Sequence, residues 1–125
     1  MGGSAKADAQ LVARAEAALE KEFPTRRLTL AEAKEWLERV AHAEDVDPPL
    51  LIKVGLPRCV KGALLVDDHA IVVPNDTPSQ LTLLHELAHA MGCVGHGPRF
   101  RETLSGLLRQ HVSLQHGLCF QRSLD

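Results

Sequence analysis

The chain has 125 residues, a length that fits one domain able to bury a core without metals or disulfides to staple it. Its apolar fraction of 45% and charged fraction of 24% are those of an ordinary globular protein, and a formal net charge of −2 argues against a nucleic-acid or membrane surface driven by bulk charge. Three cysteines (Cys59, Cys93, Cys119) make no disulfide framework and fit a reducing compartment, and no apolar run is long enough for a signal peptide or a membrane span, so a cytoplasmic protein is expected.

Residues 1–5 are small, read as a flexible N-terminus or expression remnant, and are set aside; residues 6–125 are expected to form a single domain. Residues 6–22 carry Leu11, Ala15, Ala18 and Leu19 at helical spacing, and Phe23-Pro24 ends that helix. Thr29-Leu30-Ala31-Glu32 has the form of a capping box, which predicts a second helix over about 30–44 with Leu30, Ala33, Trp36, Leu37, Val40 and Ala41 buried. Asp47-Pro48-Pro49 stops it. Three short runs follow, 50–54, 63–66 and 70–73, rich in Leu and β-branched residues and separated by Gly55, Pro57, Gly62 and the Asp67-Asp68 turn. They predict a small, mostly antiparallel three-stranded sheet. Thr77-Pro78-Ser79-Gln80 reads as a helix start, with Thr77 as N-cap, and the helix should run over about 78–91 on a core face of Leu81, Leu84, Leu87, Ala88 and Met91. A last helix should run from Pro98 to about 112, and the tail after Gln115 shows no clear pattern. The order α-α-β-β-β-α-α segregates strands from helices, so the class is α+β.

Five of the seven histidines (His85, His89, His96, His111, His116) follow residue 84. His85 and His89 stand four apart on the motif helix, which places both rings on one face and lets them converge on one ion. Glu86, one residue on, is rotated away from ligation and set beside a water that such an ion would polarise. Zinc brings the pKa of a bound water to about 7, and Glu86 is placed to take its proton and pass it to a leaving group. A catalytic zinc site needs a third protein ligand. His96 is the leading candidate, because Gly92 and Gly95 let the chain turn back and Gly97-Pro98 starts the next helix at once, with Phe100 anchoring the turn. Glu102 on that next helix is the alternative.

The segment His85-Glu86-Leu87-Ala88-His89-Ala90-Met91-Gly92-Cys93-Val94-Gly95-His96-Gly97-Pro98-Arg99-Phe100 resembles the active-site segment of compact zincin metallopeptidases, in which HExxH is closely followed by H-G-x-x-F. SprT-like, WLM-type and YgjP-type peptidases and small actinobacterial metallohydrolases share this pattern. The resemblance covers about 16 residues closely, and the strand-and-helix order before them loosely. It implies a minimal zincin-like domain with zinc (Zn2+) on His85, His89 and His96, Glu86 as general base, and a peptide or protein as substrate. Metzincins place the third histidine six residues after the second, which is Gly95 here, so the resemblance does not extend to that clan.

Plainer readings stand beside these. Cys93, four residues after His89, reads as a buried or loop thiol rather than a ligand, and Cys59 and Cys119 as small apolar fillers. With no Tyr in the chain, His111 and His116 are the candidates for stabilising an oxyanion, against an ordinary surface role. His42 and His69 read as structural or solvent-facing. The function expected is zinc-dependent hydrolysis of peptide bonds; the alternative is a non-catalytic, zinc-stabilised binding or regulatory module that retains the fold.

Overall fold

A computed structural model describes residues 2–125 of the chain. The elements are α1 (Gly2–Glu22), α2 (Leu30–Ala43), β1 (Leu50–Lys53), β2 (Ala63–Leu65), β3 (Ala70–Val73), α3 (Gln80–Ala90), α4 (Pro98–His111) and α5 (Leu114–Ser123). The class is α+β, with five helices and one small mixed sheet. Helix α1 begins at Gly2, ahead of the expected start near residue 6; of the segment 1–5, residue 1 lies outside the described residues. The chain falls into two compact units. Arg26–Met91 forms one, and the segments on either side of it, up to Thr25 and from Gly92 to Asp125, form the other.

Within Arg26–Met91, α2 starts where its sequence says it should. Thr29 Oγ1 accepts from the Glu32 N–H at 3.1 Å, and Glu32 Oε1 accepts from the Thr29 N–H at 2.9 Å. These bonds to Thr29 hold the Glu32 carboxyl below its usual pKa range, helped by Arg26. Leu28, Ala33, Leu37, Ile71, Val73 and Leu83 form the core of this unit, with Leu30, Trp36, Leu51 and Leu64 packed at its edge.

The sheet order is β1-β3-β2, with β1 parallel to β3 and β2 antiparallel to it. The sheet is therefore mixed, not mostly antiparallel as expected. The reason is the connection 54–62, long enough to carry the chain past the place for β3 and set β2 on its far side. The Val66–His69 turn, closed by the His69 N–H to Val66 O at 3.2 Å, then folds β3 back between its neighbours. All four β3 residues are buried, as a central strand requires, which leaves β2 and β1 as the two edges.

In the other unit, α5 packs on both α1 and α4. Val12, Ala15 and Leu19 are the fully buried positions of α1, and Phe100, Leu104, Leu107 and Leu108 those of α4. Near the end of α1, Glu20 accepts from both the backbone N–H and the hydroxyl of Thr25, at 3.0 and 2.6 Å, which fixes the exit turn. Helix α5 is the element that the sequence pattern did not show. Ser113 caps it by accepting from the His116 N–H at 3.1 Å, and Gly117, Cys119 and Phe120 face inward.

Two glycines of this unit give opposite expectations for one substitution. A Cβ at Gly117 would lie 2.8 Å from Arg109 Cβ, 3.0 Å from Ser105 O and 3.1 Å from Arg109 Cα. These atoms belong to the backbone and Cβ of one turn of α4 and cannot yield without moving the helix, so Gly117→Ala should lower stability by about 1–3 kcal/mol despite the better helix propensity of alanine. A Cβ at Gly106, on α4, meets nothing within 4 Å. Gly106→Ala should raise stability by about 0.5–1 kcal/mol. Chemical denaturation of both variants checks the pair.

Candidate metal centre

Helix α3 carries the site. It is capped by Ser79, whose Oγ accepts from the Thr82 N–H at 3.1 Å, rather than by Thr77 as expected. The displacement has a long-range cause. Pro78 and Ser79 are held extended against Arg27: the Leu28 N–H donates to Pro78 O at 3.0 Å, and the Gln80 N–H donates to Arg26 O at 2.9 Å. The helix cannot begin until that pairing ends.

Leu81, Leu83, Leu84, Glu86, Leu87 and Ala88 of α3 are buried. Half-buried are the end residues Gln80 and Ala90 and, between them, a stripe at helical spacing, Thr82, His85 and His89. The His85 and His89 rings lie edge to face with centroids 5.0 Å apart. Glu86 is only 7% exposed, and its Oε2 lies 3.9 Å from His85 Nε2. Across from it stands Gly62, where a Cβ would come 3.6 Å from Glu86 Cγ and 3.0 Å from Thr82 Cγ2.

The chain leaves α3 through two left-handed residues, Gly92 at φ +100° and Gly95 at φ +76°. An L side chain is strained at both, and glycine is not. Between them Cys93 turns inward, buried, with its Sγ 3.4 Å from Thr103 Oγ1, while Val94 projects into solvent. The turn ends at His96, whose ring packs edge-on to the buried Phe100 at 4.9 Å between centroids. Gly97 and Pro98 then open α4. The Asp8 carboxylate stands at that helix start, 3.3 Å from Arg101 Nη1, where the helix dipole favours an anion. Nothing in the local sequence signals this partner, because Asp8 lies on α1.

His85, His89 and His96 come together. Each offers a ring nitrogen, and the three nitrogens lie within 4.8 Å of one another. Ligands that share one tetrahedral zinc at about 2.0–2.1 Å stand roughly 3.4 Å apart, so these rings are within reach of a common ion. The residues fit a divalent metal on a second count. Glu86 is a buried carboxylate beside the cluster, its Oε2 3.9 Å from His85 Nε2, and the positive charge of a divalent ion would offset part of the cost of burying it.

Glu102, the alternative ligand, does not join the cluster. It is exposed on α4 and lines a cavity with Leu11, Arg109 and Gln121. Nor do the other candidates join the ligand set. Cys93 is engaged with Thr103, and His116 Nδ1 lies 2.6 Å from Ser113 Oγ with its ring edge-on to Phe23. His69 Nε2 lies 2.6 Å from Asp47 O, and His42 faces solvent. Cys59 is exposed rather than a core filler, because the 54–62 connection that holds it runs over the surface. Cys119 is buried, and burial together with a hydrogen bond to Glu22 pushes its thiol pKa up, away from thiolate chemistry.

No helix among the described residues is long and apolar enough to cross a membrane. No protein-family model, curated protein or solved structure matches the chain.

Proposed function

We propose that the chain is a zinc-dependent metallohydrolase that cleaves peptide bonds, with His85, His89 and His96 as ligands and Glu86 as general base. The observation that carries the reading is the convergence of three imidazoles with one buried carboxylate next in sequence to the first of them. A purely structural site has no need of that carboxylate. The resemblance of residues 85–100 to compact zincins points the same way.

When bound, zinc supplies the Lewis acidity that brings water deprotonation into the neutral range. The protein's own residues do the rest. His85 and His89 are fixed by one rigid helix, and His96 is fixed by a turn that ends on a buried phenylalanine. Glu86 is aligned by the helix backbone, so its carboxylate can take a proton from the attacking water and return it to the departing amine. Burial keeps bulk water off most of the Glu86 side chain, which strengthens its electrostatic reach.

A peptide suits the site better than a small molecule because β2 is an edge strand and begins beside Glu86. Its unpaired backbone groups can take an extended chain as an added strand, along Gly62–Val66. The test is a library of unstructured peptides incubated with zinc-loaded protein. Cleavage should appear, vanish on chelation, and return with added zinc. A loaded protein that cleaves no member of the library contradicts the peptidase reading.

A further inference from the structure

We propose that Gly62 is a positioning residue that sets the spacing between edge strand β2 and α3, with Thr82 as the group it spaces against. The catalytic consequence rests on the hydrolase reading above; the spacing itself does not.

Gly62 closes the 54–62 connection and immediately precedes β2. Its φ is not in the left-handed region, so backbone conformation does not demand glycine. Space does. A Cβ there would lie 3.0 Å from Thr82 Cγ2, 3.4 Å from Val72 O and 3.6 Å from Glu86 Cγ. Thr82 and Glu86 are one helical turn apart on a single face of α3, so the Gly62 backbone rests across the ridge that they form. Val72 belongs to β3 and is the register partner of Ala63, the residue after Gly62. The glycine is thus wedged between the sheet on one side and the metal helix on the other. Gly55, at the opposite end of the same connection, has nothing within 4 Å of a Cβ. The tight fit is therefore particular to the point where the connection meets α3.

With a methyl group at position 62, Thr82 Cγ2 at 3.0 Å must give by a few tenths of an ångström. Because the Thr82 hydroxyl is held 3.2 Å from Ser79 Oγ, it gives by moving α3 away from β2 and carries Glu86 along, whose own Cγ at 3.6 Å is in ordinary contact. In the hydrolase reading that movement separates the strand that aligns the substrate from the carboxylate that handles the proton. Misplacements up to 1 Å cost as much as 10²-fold in rate, so a smaller shift should cost about tenfold.

The experiment compares the wild-type chain with G62A, T82S and G62A/T82S. Thr82→Ser removes the Cγ2 that the new methyl would meet and keeps a hydroxyl beside Ser79 Oγ, which lies 3.2 Å away. Zinc content, melting temperature of the metal-free protein, and kcat and KM on a peptide cleaved by the wild type are measured for each. G62A should keep its zinc, melt lower and lose kcat about tenfold with KM little changed. T82S should match the wild type, and the double variant should recover both melting temperature and kcat. A double variant no better than G62A, or a G62A indistinguishable from the wild type, overturns the proposal. If G62A does not fold, a folded, zinc-binding double variant supports it and an unfolded one overturns it. If the wild type cleaves no peptide, the hydrolase reading fails on its own. The melting temperatures then decide: recovery in the double variant supports the spacing role, and simple addition of the two single shifts overturns it.

Discussion

Glu86→Gln is expected to leave zinc content at the wild-type level and to lower peptide hydrolysis by about 10²–10⁴-fold, the usual worth of a positioned general base. The substitution keeps shape and volume. Gln fits the same buried slot against Gly62, and none of the three histidines is altered. It removes the negative charge and with it the ability to accept a proton. Replacing a buried carboxylate by an amide also relieves desolvation, so stability should hold or rise. The pairing of intact zinc with lost turnover separates an enzyme from a zinc-stabilised binding module. In a module, binding of the partner would survive the change and there would be no turnover to lose.

The second large effect concerns the third ligand. His96→Ala should weaken zinc affinity by more than about 100-fold, beyond the 10–100-fold that loss of an outer-sphere partner typically costs. Glu102→Ala should leave affinity unchanged, because Glu102 is exposed on α4 and outside the histidine cluster. The ring of His96 packs on Phe100, so its removal also loosens the turn, and stability should be followed in parallel. Competition against a chromogenic chelator measures both variants. Loss of affinity in the Glu102 variant, with His96→Ala unaffected, would reverse the assignment.

The legible parts of this sequence were those set by local chemistry. The Thr29–Glu32 capping box needs four consecutive residues, and it forms as read. The motif helix and the Gly92–Gly95 turn are equally local: one follows from helical periodicity, the other from glycines that tolerate positive φ. What was missed depends on distant chain. Thr77-Pro78 looks like a helix start until Arg27 arrives to hold Pro78 and Ser79 extended. The parallel pairing of Leu50–Lys53 with Ala70–Val73 follows from where the 54–62 connection crosses, and no strand sequence encodes that. Helix α5 was hidden by Gly117, a residue that disfavours helices in isolation and is required here by the close approach of Ser105 and Arg109. Its real signal was Ser113, a plain N-cap without the reciprocal Glu or Gln. Asp8 at the start of α4 is another case, supplied from far along the chain.

Zinc-dependent hydrolysis by this chain requires that His85, His89 and His96 share one metal ion. The direct test is the metal content of the purified chain by mass spectrometry after dialysis against trace-metal-free buffer, for the wild type and for His85→Ala/His89→Ala. One equivalent of zinc per wild-type chain, absent from the double variant, is the expected result. A folded wild-type protein that takes up no divalent ion, or a double variant that still holds a full equivalent, would contradict it.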